Sequence, residues 1–260
     1  FPITAFETRD DGTYGGLLPA GDYFFAADGE GLGAASYPGG AITSIATRVG
    51  GYQVEAAKVT LGSAPSDLPT IRFPAPAFLE VEATDITDVV AGAGTPVPAK
   101  VTIVGSDPTP TDSIFRDSVG NDLDASVVAV GFTGADGKVR IPIEPGTYDV
   151  YISRGPEYSL EKQAVTIAAG DTKTVAAEVE RVVDTSGWLS IDSHIHMYNS
   201  PDARADKDLR ILSAAAEGLE GMVNTDHDFI SDLSGDVSRL GLQSWVAAVA
   251  GDEMTTWDYG

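Results

Sequence analysis

The feature that most constrains this chain is a phrase that occurs twice. Asp11-Gly12 is followed by Ala20-Gly21-Asp22-Tyr23, and Asp136-Gly137 is followed, at the same spacing, by Pro145-Gly146-Thr147-Tyr148. Each Asp-Gly favours a tight turn, the second Gly makes another turn, and the Tyr opens the next strand. Farther along, Val165-Thr166-Ile167 echoes Val59-Thr60-Leu61. A chain that repeats such a phrase is expected to consist of repeated β-modules. The runs Phe78-Leu79-Glu80-Val81-Glu82 and Ala99-Lys100-Val101-Thr102-Ile103-Val104 alternate as half-buried sandwich strands do. The first copy carries a Gly-rich insertion over about 29–51, read as a long surface loop. Little precedes its Asp-Gly, so this copy reads as cut at its N-terminal side.

Near Asp184 the pattern changes. A short strand over 188–191 leads into Asp192-Ser193-His194. The spacing of Leu209, Ile211, Leu212, Ala215 and Ala216 predicts an amphipathic helix over 206–217, ended by Gly218 and Gly221. Met222-Val223 runs into Thr225-Asp226-His227, a short helix is expected over 231–240, and 245–250 is a nearly continuous apolar run. Such a run suits a parallel strand buried on both faces. The order is β-α-β-α-β, an architecture that carries its functional residues at strand C-terminal ends. Three strands cannot close a barrel, so this end of the chain also reads as cut.

Composition narrows the partners. The net charge is −23, from 39 acidic and 16 basic residues. Nucleic acids and anionic membrane surfaces require basic patches, so neither is expected. No cysteine is present, which excludes disulfides and thiolate metal sites. No apolar run has the length of a membrane-spanning helix.

All three histidines lie between His194 and His227. Imidazole is the commonest metal ligand. In His194-Ile195-His196 alternate residues point the same way from a strand end, so both rings can reach one cation. Asp202 follows on the next loop and can close over the same position. His227 stands at the second strand tip. Glu253, in Gly251-Asp252-Glu253, stands at the third, where a carboxylate can bridge cations and Gly lets the backbone approach closely. Taken singly, each phrase has a plain alternative: surface histidines near a turn, a helix-capping Asp or Thr, a solvated acidic turn. Taken together they point to a metal site of His194, His196, Asp202, His227 and Glu253, suited to Zn, Mn or Fe. Other motifs are weaker. Gly29-x-Gly31-x-Gly33 does not sit between a strand and a helix, and the Asp-rich stretch over 117–124 lacks the EF-hand order. No Gly-x-Ser-x-Gly elbow is present.

Two resemblances follow from these residues. The Asp-Gly turn with the Pro-Gly-Thr-Tyr strand start resembles the carboxypeptidase regulatory-like, transthyretin-like sandwich, over most of 78–182 and partly over 1–77. Residues 188–260 resemble the start of a PHP domain, through His194-x-His196, Thr225-Asp226-His227-Asp228 and Gly251-Asp252-Glu253-Met254-Thr255-Thr256. The latter is closest to the carbaryl-hydrolase-like branch. That resemblance implies His194 and His196 on a first metal, Asp202 as a further ligand, His227 on a neighbouring metal, Glu253 bridging the two, and Asp226 orienting ligands. It also implies further histidines after Trp257-Asp258-Tyr259-Gly260.

The expected fold is therefore multidomain: sandwich modules over 1–77 and 78–183, then an incomplete β/α barrel of PHP type over 184–260. The leading functional expectation is hydrolysis of a small-molecule phosphoester, carbamate or carboxylic ester by metal-activated water, with two or more divalent cations. The alternative is a secreted or cell-surface β-sandwich binding or adhesion protein with a structural or vestigial metal site. An amidohydrolase barrel, which also begins with His-x-His, fits the later phrases less well. Tandem sandwiches and an acidic surface suit a periplasmic or extracellular protein. Oligomeric state is not legible.

Overall fold

A computed structural model of the chain describes residues 6–23, 25–27, 35–36, 59–68, 75–89, 94–105, 127–143, 145–203 and 205–255. Most of the Gly-rich insertion, the 117–124 stretch and the 257–260 segment lie outside these residues.

Alternation in the middle of the chain produces two facing sheets. Strands β5 (Ala77–Asp85), β6 (Thr95–Pro96), β7 (Lys100–Gly105), β8 (Val127–Phe132), β9 (Lys138–Ile143), β10 (Gly146–Ser153), β11 (Glu161–Ile167) and β12 (Thr172–Val179) form them. One sheet has the order β11-β10-β7-β8 and is antiparallel throughout. In the other, β5 is flanked by β12 in parallel and β9 antiparallel, and β6 pairs with its end. Leu79 and Val81 from β5, Val101 and Ile103 from β7, and Tyr148, Val150 and Ile152 from β10 meet in one core. Each is at most 1% exposed, so each contributes about 1.5–3 kcal/mol of apolar burial.

The repeated phrase has a structural counterpart. Earlier in the chain lie β1 (Gly21–Tyr23), β2 (Ala26–Ala27), β3 (Ala35–Ser36) and β4 (Val59–Leu61). β1 pairs β4 antiparallel with Gly21 opposite Leu61 and Tyr23 opposite Val59. β10 pairs β11 with Gly146 opposite Ile167 and Tyr148 opposite Val165, the same register. Gly12 and Gly137 both take positive φ, +77° and +72°, as their turns require. Asp22 accepts a hydrogen bond from Thr60 where Thr147 meets Thr166 in the second copy.

The last part of the chain is a three-stranded parallel sheet, β13 (Ile191–Ile195), β14 (Gly221–Asn224) and β15 (Ala247–Ala250), in that order. Helix α1 (Lys207–Ala216) joins the first two strands and α2 (Ser234–Arg239) the last two. Asp206 caps α1, accepting from the backbone N–H groups of Asp208 and Leu209. Ile195, Ile211, Met222, Val237 and Leu242 pack between sheet and helices.

The expected fold class is corrected here. The described residues form several separate sheets with two helices and no closed barrel. The parallel sheet is covered on one side only. Ile191 and Val249, which flank the β14 face opposite the helices, are each 54% exposed, so the run over 245–250 is not buried on both faces. β13 also begins later than expected, because Trp188 and Leu189 are 80% and 71% exposed and make no strand. Gly221 opens β14 rather than ending α1.

Arg154 joins the two halves. Its side chain is buried and its Nη1 donates to Pro98 O at 2.5 Å on one side and Ala215 O at 2.8 Å on the other. The guanidinium lies 4.6 Å from the Trp245 ring centroid. Burial pulls its pKa down from the ordinary arginine value. Beside it Lys100 pairs with Glu217 at 2.7 Å.

Candidate metal centre

The C-terminal tips of β13, β14 and β15 bring the residues singled out in the sequence into one cluster. Alternation along β13 and the residue after it points His194 and His196 the same way, with Ile195 buried between them. His227 and Glu253 lie opposite each other in an isolated parallel bridge just past β14 and β15. Gly251 makes this approach possible: a Cβ there would lie 2.9 Å from Asn224 O and 2.8 Å from Val223 Cγ1. Asp228 adds a cross-link in a positive-φ conformation of 52°, its backbone N–H donating to Glu253 O and its carboxylate accepting from Thr255 N.

Three ligand atoms form a tight triangle. His194 Nε2 is 2.8 Å from His196 Nε2 and 2.7 Å from Glu253 Oε2, and His196 Nε2 is 3.0 Å from Glu253 Oε2. A second group, His196, Asp202 and His227, keeps its ligand atoms within 4.8 Å of one another. There His227 Nε2 is 3.3 Å from Asp202 Oδ2.

Neighbouring hydroxyls decide which ring nitrogens carry hydrogen. Ser200 Oγ donates its one hydrogen to Asp202 Oδ1 at 2.7 Å, so it accepts from His196 Nδ1 at 2.9 Å. In the neutral imidazole His196 Nε2 then faces the triangle as a lone pair, free to bind a cation. Thr255 Oγ1 lies 2.5 Å from His227 Nδ1, an arrangement that turns His227 Nε2 toward Asp202. A metal-binding imidazole is usually held by a polar partner on its other ring nitrogen, and Ser200 and Thr255 stand at those nitrogens of His196 and His227. His194, His196 and Glu253 would hold such a cation, each offering one ligand atom to it.

The surroundings hold this geometry. Asp226 is fully buried, accepts from Met197 N at 2.6 Å, and so ties the β14 tip to the chain just after His196. The Asp202 carboxyl is held below the usual aspartate range, chiefly by the Ser200 hydroxyl and further by His196. All five expected residues thus meet in one place, with Asp226 beside them. Ser200 and Thr255 were not singled out in the sequence. Their only signal is a hydroxyl a few residues from a ligand, which is too common to read.

No family model matches the chain, and no curated protein matches it. Among solved structures, the Bacillus anthracis TIE protein is similar over 74% of this chain and 30% of its own, at 15% identity and a TM-score of 0.31. The minor pilin GBS52 of Streptococcus agalactiae is similar over 69% of this chain and 68% of its own, at 15% identity and a TM-score of 0.32. The shaft pilin spaA of Lactobacillus rhamnosus GG is similar over 42% of this chain and 52% of its own, at 12% identity and a TM-score of 0.29. The chain thus spans under a third of the first of these proteins and about half of the third.

The expectations drawn from resemblance are corrected by these findings. Neither the PHP domain nor the carboxypeptidase regulatory-like module has a matching family model. The described strands make an open sheet, and no catalytic architecture accompanies the His and carboxylate cluster. The reading as a metallohydrolase acting on phosphoesters, carbamates or esters is overturned. What stands is a pair of groups able to hold a divalent cation. Among the described residues, no helix is long and apolar enough to cross a membrane.

Proposed function

We propose that this chain is an exported or cell-surface β-sandwich binding protein whose terminal α/β segment carries a structural divalent-cation site. His194, His196 and Glu253 are the ligands of the first group, and Asp202 and His227 join His196 in the second. Zn, Mn or Fe suits imidazole and carboxylate ligands. The observation that carries the reading is the triangle of His194 Nε2, His196 Nε2 and Glu253 Oε2, with its ligand atoms 2.7–3.0 Å apart. The ligands come from the tips of three different strands and an intervening loop, so a bound cation would add a cross-link to those that Asp226 and Asp228 already make. Binding free energy then adds to folding free energy. The division into modules over 1–77, 78–183 and 184–260 belongs to the same proposal. It is supported by the shared register of the two repeat copies and by the separate apolar cores of the sandwich and the α/β segment.

Calorimetric titration of chelator-stripped protein with Zn²⁺, Mn²⁺ and Fe²⁺ tests this. Saturable binding of one of them, with a rise in Tm and loss of both effects in His196→Ala, is expected. Failure of all three ions to bind would refute the cation site.

A further inference from the structure

The parallel sheet ends in two edges, β13 and β15, and they are built differently. Ala247 N donates to Glu220 O and Gly251 N to Asn224 O, so these residues turn their backbone groups toward β14. Backbone groups alternate sides along a strand, so the N–H and C=O of Ala248 and Ala250 point away from the sheet. They have no hydrogen-bond partner among the described residues, because β15 is the last strand in the order. Ala247, Val249 and Ala250 are exposed.

Natural edge strands are blunted by charge, proline or irregularity. In the sandwich, β9 carries Lys138 and Pro142, β11 carries Lys162, β12 carries Lys173, and β8 runs against β7 with a register shift. β13 carries Asp192 and a register shift of its own. β15 has none of these devices. Its residues are Ala, Ala, Val and Ala, and no charged residue occurs over 240–251.

Alternating outward donors and acceptors are matched by an extended strand. Charge and symmetry select which one. With a net charge of −23, two copies of the chain repel each other, and an uncharged edge is where they can approach. An antiparallel two-fold pairing centred on Val249 sets Ala248 of each copy opposite Ala250 of the other, and every outward N–H of these residues meets a C=O. The Val249 side chains of the two copies then face each other on the open side of the sheet, covering a residue that is 54% exposed in one copy. Asp252 of each copy aligns with Val246 of the other, which keeps the two Asp252 residues roughly 20 Å apart along the strand, beyond the reach of screened charges.

We infer that β15 is a self-association edge through which two copies of the chain join into one continuous sheet. Strands of 4 residues are short beside the about 20–30 residues per side of a standard interface, so the dimer is a weak one. The inference does not rest on the cation site, since the pairing uses backbone groups and Val249.

Sedimentation equilibrium between about 10 µM and 1 mM, with and without chelator, should show an average mass rising toward twice that of the chain. Val249→Lys places two ammonium groups opposite each other at an exposed position and should weaken association about tenfold. The chain has no cysteine, so cross-linking gives a second test of position. Val249→Cys should form a disulfide-linked dimer on mild oxidation, because residues facing each other in a non-hydrogen-bonded antiparallel pair have Cα atoms about 4.5 Å apart. Ile191→Cys, equally exposed on the same face but on the opposite edge strand, should stay monomeric. A single mass at all concentrations, association that chelator abolishes or that Val249→Lys leaves intact, or equal cross-linking of the two cysteine variants would overturn the proposal.

Discussion

The sandwich and the α/β segment use charge in opposite ways. On the sandwich, carboxylates meet cations across the outer faces: Lys138 with Glu82 at 2.5 Å, Lys162 with Asp149 at 3.0 Å, Arg140 with Glu80 at 3.5 Å. Its interior is apolar, and its buried Thr133 hydroxyl is satisfied by Ala99 N and Val97 O. At the tips of β13–β15, imidazoles and carboxylates face one another with no lysine or arginine in either group. Exposed ion pairs add little to stability. The first region settles its charges within itself, and the second keeps groups able to hold a divalent cation.

The largest expected effect lies in the sandwich. Leu79→Ala empties a fully buried position and should cost about 2–5 kcal/mol in denaturant unfolding. Added metal should raise the stability of wild type and variant by the same amount, because no proposed ligand touches that core. A larger rise in the variant would show that the two regions are not energetically distinct.

Arg154 tests how firmly they are joined. Arg154→Met keeps the length but leaves Pro98 O and Ala215 O without their donor, at about 2 kcal/mol. In calorimetry the α/β segment of the variant should melt first and apart from the sandwich, where the parent protein should show one transition. One unchanged transition would mean that the shared packing around Trp245, not the arginine, carries the coupling.

Ser200→Ala should have the smallest effect on folding and a selective one on the site. It removes the hydroxyl that fixes the His196 tautomer and orients Asp202. Affinity for the cation should fall about 10–100-fold, with the urea midpoint of the stripped protein nearly unchanged. Equal loss of stability would assign Ser200 to folding instead.

Much of the sandwich was legible in the sequence because alternation and turn residues are local signals. The Asp-Gly and Gly-x-Tyr phrases anticipated the register that β1–β4 and β10–β11 share. Helix α1 was legible through its apolar spacing, while the Asp206 cap came only with the structure. The histidines were legible because so few are present. The covering of the sheet was not. An apolar run such as 245–250 reveals a strand but not what lies over it, and Val249 proves half exposed. The barrel expectation went astray at that step, since it supplied a cover from resemblance alone. The roles of Ser200 and Thr255 were also hidden, because they depend on how two loops meet rather than on any spacing within one.

The central claim is that the strand tips hold a cation among imidazoles. Anomalous diffraction at the metal edge, on crystals grown with the ion that binds most tightly, tests it most directly. The account predicts a peak about 2.1 Å from His194 Nε2, His196 Nε2 and the Glu253 carboxylate. No peak there, or one held by surface carboxylates away from the three histidines, would contradict it.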